Sequence, residues 1–346
     1  MFLSLALLAD YRIRLQKGQP MVAFLIRRLL WLPVLLFFIS LITFALGLYG
    51  PGDPVQVLVG IHANPDTIAR LKHEYGFDQP FYVQYLNYVL NALQGNFGYS
   101  LVKYRDQAVG RLIADALPVT IQLNLLAIIL GVLIGVPLGL VAGLKRDSWI
   151  DLIIRGVVIA GISFPIILLN PVLTFLFSRA HPVDLPGLNF HLSLGPFLPM
   201  VGGHWDGIFS TKVILPAFIE ASGVIAVMTR QMRAGMIEVL SEDYIRTARA
   251  KGLREYTVIV RHAMRNALIP IATIMGLMLG GLVAGSFLVE NWFGIPGVGS
   301  LGFDALFSRD YYITMALTLL IATAYVFANV LVDLTYGFLD PRIRKS

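Results

Sequence analysis

Six stretches of this sequence are too long and too apolar to be ordinary core segments of a water-soluble domain: residues 29–49, 117–144, 150–178, 213–229, 268–289 and 313–336. A helix needs about 20 apolar residues (range 17–25) to cross the hydrocarbon layer, and every run falls within or beyond that range. Inside lipid the backbone must satisfy its own hydrogen bonds, so runs of this length form helices. The second and third can tilt or extend past the hydrocarbon, with Arg155 placed to snorkel to the interface. Composition agrees. The chain is 57% hydrophobic and 14% charged, where soluble domains carry about 25% charged residues. A soluble enzyme is excluded, and the expected fold is an all-α membrane protein with six transmembrane helices.

The net charge of +6 reads as membrane topology rather than nucleic-acid binding, because bases near span ends mark the cytoplasmic side. Arg12, Arg14, Lys17, Arg27 and Arg28 precede the first span, and Lys145 and Arg146 join the second to the third. Eight bases from Arg230 to Arg265 follow the fourth, and Arg342, Arg344 and Lys345 follow the sixth. With six spans all these segments share one side, so both termini are predicted to be cytoplasmic. The chain has no cysteine, which excludes disulfides, thiolate metal sites and cysteine nucleophiles.

Three regions follow: an N-terminal extension over 1–20, a first span with an external helical segment over 21–115, and a core over 116–346 with a cytoplasmic loop at about 235–270. In the extension, the apolar run Leu3–Leu8 lacks a basic region before it and has Arg12 to Lys17 after it, unlike a cleaved signal. An interfacial extension, or a true start at Met21, fits that pattern. In the external segment, Asn64-Pro65-Asp66 supplies a cap, a first-turn proline and an acidic first turn, with Gly76 as a stop, so a helix is predicted over 65–75. Pro80 opens another helix, in which Tyr82, Tyr85 and Tyr88 recur at helical spacing and are expected to pack or anchor.

The run from Ser241 to Gly252 carries the most information. Ser241 can cap a short helix with Glu242 and Asp243 at its positive end and Arg246, Arg249 and Lys251 toward its negative end. Gly252 can end it at positive φ, and Glu242 and Arg246 are spaced i, i+4. So short a helix is marginal alone. It reads either as an interfacial helix whose bases bind lipid phosphates or as a handle that keeps its shape while pushing on a partner.

The segment Glu242–Gly252, continuing as Arg261-His262-Ala263-Met264-Arg265-Asn266-Ala267-Leu268-Ile269-Pro270, resembles the conserved cytoplasmic "EAA" loop of ABC-importer permeases, most closely the oligopeptide/dipeptide/nickel permease family. The resemblance runs from Met21 onward through Arg27-Arg28, Pro51-Gly52-Asp53-Pro54, Leu198-Pro199 with Gly202-Gly203, Pro296-Gly297-Val298-Gly299, Arg309-Asp310-Tyr311 and Asp340-Pro341-Arg342-Ile343-Arg344. Where the general pattern has Glu-Ala-Ala, this chain has Arg246, Thr247 and Ala248. The resemblance implies a type I ABC importer-like transmembrane domain in the bacterial inner membrane, forming half of a pathway for peptides. It implies a second homologous permease, two ATP-binding subunits and an extracytoplasmic substrate-binding protein as partners. Oligopeptides or dipeptides lead as cargo, then nickel complexes and oligosaccharides. By the same resemblance Glu242, Asp243, Tyr244, Arg246, Thr247, Ala248, Arg249, Ala250, Lys251 and Gly252 form the helix that docks on the ATPase, with Tyr244 and Ala248 filling its pocket. No G-x-x-x-x-G-K-[S/T] occurs in the chain, so no cofactor is expected here, and ATP and Mg belong to the partner ATPases.

Gly297-Val298-Gly299-Ser300-Leu301-Gly302 matches G-x-G-x-x-G but lies in an expected external loop without a strand–helix unit or a following acid. These glycines and Pro296 read instead as a fold-back against the pore mouth. Gly131, Gly135, Gly139 and Gly143 form a stripe, and Gly276, Gly280, Gly281 and Gly285 crowd the fifth span. Both suit close helix packing or, not exclusively of it, a pathway lining that needs room for substrate, for which Gly281 and Gly285 are the candidates. Glu220 is the one carboxylate near the middle of an expected span. It reads as a cavity residue recognising a substrate amine, as a neutral packing acid, or as the relay of a gradient-driven secondary carrier. Asp333, near the end of the last span, is expected to pair with a base. His181, His191 and His204 are spaced too widely for a compact metal site.

Overall fold

The computed structural model describes residues 21–49, 55, 59, 64–179, 181–184, 191–194, 196–200 and 202–339. The expected extension over 1–20 lies outside them, as do the side chains of Arg27, Arg28 and Asp333.

The apolar body is helical. Helix α1 covers Met21–Tyr49, followed by the short helices α2 (Pro65–Glu74) and α3 (Phe81–Leu93). The second span is α4 (Val109–Leu144), and the third is broken into α5 (Trp149–Ser163) and α6 (Ile166–Ser178) at Phe164-Pro165. Proline disfavours helical backbone in the residue before it, and Phe164 is extended at ψ 115°. An antiparallel hairpin of β1 (His181–Asp184) and β2 (His191–Leu194) then interrupts the helical chain, pairing His181 with Leu194 and Asp184 with His191. The fourth span is α7 (Ile214–Leu240) and the short helix after it α8 (Asp243–Ala250). A composite segment follows, α-helical at Glu255–Thr257 and Met264–Ala267 with wider π-turns over Val258–Ala263. Next come α9 (Ile269–Gly280), α10 (Phe287–Phe293), α11 (Val298–Ser308) and α12 (Tyr311–Leu339). Among the described residues four helices are long and apolar enough to cross a membrane, or up to six where each of the bent pairs at Phe164-Pro165 and Leu268 forms one span.

Several boundaries differ from the apolar runs, as at α1, which begins at Met21, and three of them have a local cause. Helix α4 starts eight residues early, because Val109–Ala116 carries Arg111 and Asp115 and escapes a hydropathy reading. Helix α7 runs on through Arg230 and Arg233 to Leu240, with Met232 and Met236 fully buried against α4 and no glycine stop or proline to end it. The fifth span stops at Gly280 rather than at 289. A glycine pair sits there, Gly285 is left-handed at φ 73°, and residues 281–286 are unwound.

Among the described residues helices α4 and α7 make the most extensive contact. The glycine stripe is that contact: a Cβ at Gly135 would lie 2.7 Å from the Ile225 carbonyl and Met228, and one at Gly143 would lie 2.7 Å from Met236. Without a hydrophobic drive between helices in lipid, close backbone approach is what holds such a pair. The two external helices form as expected. Asn64 accepts from the Asp66 amide at 3.1 Å, and Gly76 stops α2 at φ 71°. Of the three tyrosines, Tyr85 bonds Ser40 of α1 at 2.8 Å and Tyr88 is buried against Phe44, whereas Tyr82 is exposed. Asp310 ties this segment to α12, accepting from the Ser100 hydroxyl at 2.5 Å and from the Leu101 and Val102 amides at 3.0 and 3.1 Å.

Candidate functional site

At one end of the bundle, α8 projects from the junction of α7 and α9. Its eight residues cannot hold a helix alone, and the structure shows what braces it. Ile245 is fully buried and Ala248 nearly so, both in a cluster with Met232, Met236, Val258 and Ala263. Asn266 donates to the Tyr244 hydroxyl at 2.7 Å. Arg249 grips Glu255 with two bonds of 2.6 and 3.2 Å, bridging the turn at Gly252, where φ is 74°. The Glu255 carboxylate beside it holds the Arg249 guanidinium above its ordinary pKa.

Three local expectations are corrected. Ser241 does not cap α8: its hydroxyl donates back to the Glu238 carbonyl at 2.6 Å, and extended Glu242 occupies the cap position. Arg246 is not paired with Glu242 but lies 3.4 Å from Asp243, one turn earlier on its own face, both side chains exposed. Ala248 points into this chain's own core, so it is not free to fill a partner's pocket. Asp243, Tyr244, Arg246, Thr247, Arg249, Ala250, Lys251 and Gly252 are exposed, as is Glu242. The exposed surface also includes Leu253 and Tyr256, the latter 76% exposed, which sequence reasoning missed. The available signal was an apolar and an aromatic residue set among Lys251, Arg254 and Arg261.

The ends of this segment meet. A Cβ on Gly235 of α7 would sit 3.1 Å from the Ala267 carbonyl, so a load on α8 reaches α7 and the entry to α9 together. In the first turn of α5, Asp151 is fully buried and takes two bonds of 2.7 Å from Arg233 of α7. Arg155 lies 3.4 Å from the same carboxylate.

At the opposite end, Glu290 of α10 is the hub, and nothing in the sequence pattern singled it out beyond an acid inside the apolar run Phe287–Phe293. It is fully buried. One carboxylate oxygen accepts from Thr120 of α4 at 2.9 Å and the Ser286 amide at 3.3 Å, and the other from the Ser300 amide of α11 at 3.1 Å. Thr120 in turn accepts from the Val298 amide at 2.7 Å. Gly297 and Gly299 leave room for the carboxylate: a Cβ on Gly299 would lie 2.9 Å from it. The G-x-G-x-x-G run therefore opens a helix folded over a buried acid, preceded by α10 rather than by a strand.

Gly281 opens the unwound stretch 281–286 and Gly285 lies inside it, with Glu220 of α7 nearby. Ser286 lies beside the Glu220 carboxylate, and Asn124 of α4 donates to the Leu282 carbonyl at 2.9 Å. Gly285 is packed against the Gly299 amide, while Gly281 has only the Met278 carbonyl of its own last turn within 4 Å. Among the described residues no group of three or more His, Asp or Glu side chains is placed to hold a metal.

A family model described as "Binding-protein-dependent transport system inner membrane component" matches residues 135–345, and a companion model for the N-terminal part of such membrane components matches residues 21–124. A di/tripeptide transport system permease protein of Pseudomonas aeruginosa is 40% identical over 339 residues, covering 94% of this chain and 100% of the relative. Glutathione transport system permease proteins of Escherichia coli K12 and Shigella dysenteriae are each 37% identical over 325 residues, covering 94% of this chain and 99% of the relative.

Proposed function

The chain belongs to the family of binding-protein-dependent transport system inner membrane components, and from that premise we propose that it forms half of a peptide pathway driven by ATPase subunits bound at α8. It is a multi-pass inner-membrane permease subunit of an ABC importer of the peptide or glutathione type, with the type I importer fold. That membership sets aside the gradient-driven carrier built on Glu220.

The observation that carries the mechanism is the bracing of α8. A helix too short to persist alone is locked by Ile245, Asn266 and the Arg249–Glu255 pair, yet presents Tyr244, Arg246, Thr247 and Lys251 outward. In this reading the basic end is cytoplasmic, both termini lie there, and Arg246 and Lys251 meet acids on the ATPase. Closure of two ATPase subunits around ATP and Mg pushes α8. Because Gly235 and Ala267 are in contact, the push turns α7 and α9 as one. A second, related permease supplies the other half of the pathway, and an extracytoplasmic binding protein delivers cargo to the end carrying Glu290. Di/tripeptides and glutathione, the cargoes of the relatives, are small zwitterions with a free ammonium, and cargo of that class is proposed here.

The test uses the complete importer in proteoliposomes. Arg246→Glu reverses a charge on a side chain that is 73% exposed, and Gly252→Pro forces φ near −65° where the chain needs 74° and removes the amide that bonds the Arg249 carbonyl. Both variants are expected to fold and insert while uptake per ATP hydrolysed falls at least tenfold. Wild-type coupling in both refutes the role of α8.

A further inference from the structure

Two glutamates sit near the end of the bundle opposite α8, Glu290 fully buried and Glu220 partly so, and they are treated differently. Both oxygens of Glu290 are occupied by donors. Glu220 is not so served: its Oε2 is buried without a hydrogen-bond partner, and it belongs to no ion pair among the described residues. It stands ten residues into a 30-residue apolar helical stretch, about 14 Å from its start. An ionisable group at such depth is expensive and faces a partner or a water-filled cavity. Its surroundings supply the rest of a cation site. Ser286 lies beside it, at the far end of the unwound stretch between α9 and α10. Asn124 pins that stretch through the Leu282 carbonyl. One turn along α7, Gly223 is exposed with nothing within 4 Å of the position of a Cβ, so there is room on the same face. In secondary transporters, broken helices with unwound backbone bind small charged cargo, and the same backbone chemistry is present here.

We propose that Glu220, with Ser286 and the unwound backbone after α9, is a subsite for the primary ammonium of the cargo, so that the permease itself selects peptides with a free amino end. The ammonium is compact and has three donors, which suits one carboxylate, one hydroxyl and backbone carbonyls. The proposal rests on the import reading above.

The test uses the complete importer with saturating binding protein and two probes, alanyl-alanine and N-acetyl-alanyl-alanine, with loading of the binding protein measured separately. Glu220→Gln keeps the shape and removes the charge. It is expected to lower ATP-driven uptake of alanyl-alanine at least tenfold while leaving ATP hydrolysis stimulated by the loaded binding protein unchanged, with Glu220→Asp recovering much of the uptake. Wild-type importer is expected to move the capped peptide at least tenfold more slowly than the free one when both fill the binding protein. If the binding protein does not take the capped peptide, the Glu220→Gln and Glu220→Asp comparison decides alone. Uptake by Glu220→Gln within twofold of wild type, or uptake and hydrolysis falling together, overturns the proposal and leaves the import reading standing. Wild-type importer that shows no ATP-dependent uptake of alanyl-alanine overturns both.

Discussion

Replacing Ile245 by Ala should unseat α8 without unfolding the spans. The helix has eight residues, so nearly all its order comes from what it touches. The Arg249–Glu255 pair is half exposed on both sides and is worth about 0–1 kcal/mol after screening. The exposed bond between Asn266 and Tyr244 adds about 0.5–1.5 kcal/mol. Ile245 is fully buried, and truncating such a residue to Ala costs about 2–5 kcal/mol including the cavity left behind. It therefore outweighs the other two. At about 1.4 kcal/mol per tenfold, the ratio of seated to unseated helix falls by about 30-fold to a few thousandfold. The absence of cysteine provides the assay. Ala248→Cys places the only thiol of the chain on the buried face of α8, where a maleimide reacts only when the helix lifts. Labelling should accelerate at least 30-fold when Ile245→Ala is added, and uptake per ATP should fall. Arg246→Ala, which removes a surface contact with Asp243, should leave labelling unchanged. Equal labelling rates with and without Ile245→Ala would show that the helix is held by something other than this seat.

Glu290→Gln should lower the melting temperature of the purified subunit by an amount corresponding to about 1–3 kcal/mol, since the new amide nitrogen must face a donor from Thr120, Ser286 or Ser300. An unchanged melting temperature sinks the reading of both oxygens as acceptors. In the external segment, His73 and Asp78 are bonded at 2.7 Å. The Asp78 carboxylate raises the pKa of His73 above its ordinary 6.5, and His73 lowers that of Asp78 below its ordinary 3.8. The raised His73 pKa makes the contribution of the pair complete below pH 6.5 and lost as pH rises through the shifted value; the lowered Asp78 pKa makes it complete above pH 3.8 and lost as pH falls through its own shifted value. A titration of the His73 ring by NMR should show the elevation, and Asp78→Asn should return it toward 6.5.

The helices were legible from the sequence where one local signal sufficed. Asn64-Pro65-Asp66 with Gly76 set both ends of α2, and the four-residue glycine period marks the close face of α4, which packs on α7. What escaped depends on partners distant in the chain. Glu290 looks like a stray acid until Thr120, 170 residues away, and the Ser300 amide are seen on its oxygens. Asp310 holds Ser100, 210 residues earlier. The cap of α8 was misplaced because Ser241 has a nearer competitor: the last turn of α7 offers the Glu238 carbonyl at 2.6 Å, and serine hydroxyls readily bond back to a preceding carbonyl. Hydropathy also carried the fifth span through to 289, because leucine, valine and alanine after Gly281 are apolar whether helical or not.

Gly281 and Gly285 read alike in the sequence, as small residues of a pathway, and the structure separates them. Gly281 has helical φ of −83° and only the Met278 carbonyl of its own turn nearby at 3.5 Å, so a methyl group there meets open space and favours helix. Gly285 needs φ 73° and would bring a Cβ to 2.7 Å from the Gly299 amide. The left-handed backbone alone costs an L-residue about 1–2 kcal/mol, and the neighbouring atom is main chain of α11, which cannot move without pulling the Ser300 amide off Glu290. Gly285→Ala should therefore lower the melting temperature and abolish uptake, whereas Gly281→Ala should leave both within error and twofold of wild type. The hydroxyl of Ser286 next to Gly285 is also the one beside Glu220, so the same displacement that loosens the Glu290 hub would move the proposed ammonium subsite. If Gly281→Ala proves the damaging change and Gly285→Ala the silent one, the space beside Gly281 is part of the cargo path, and the separation drawn from backbone geometry is wrong.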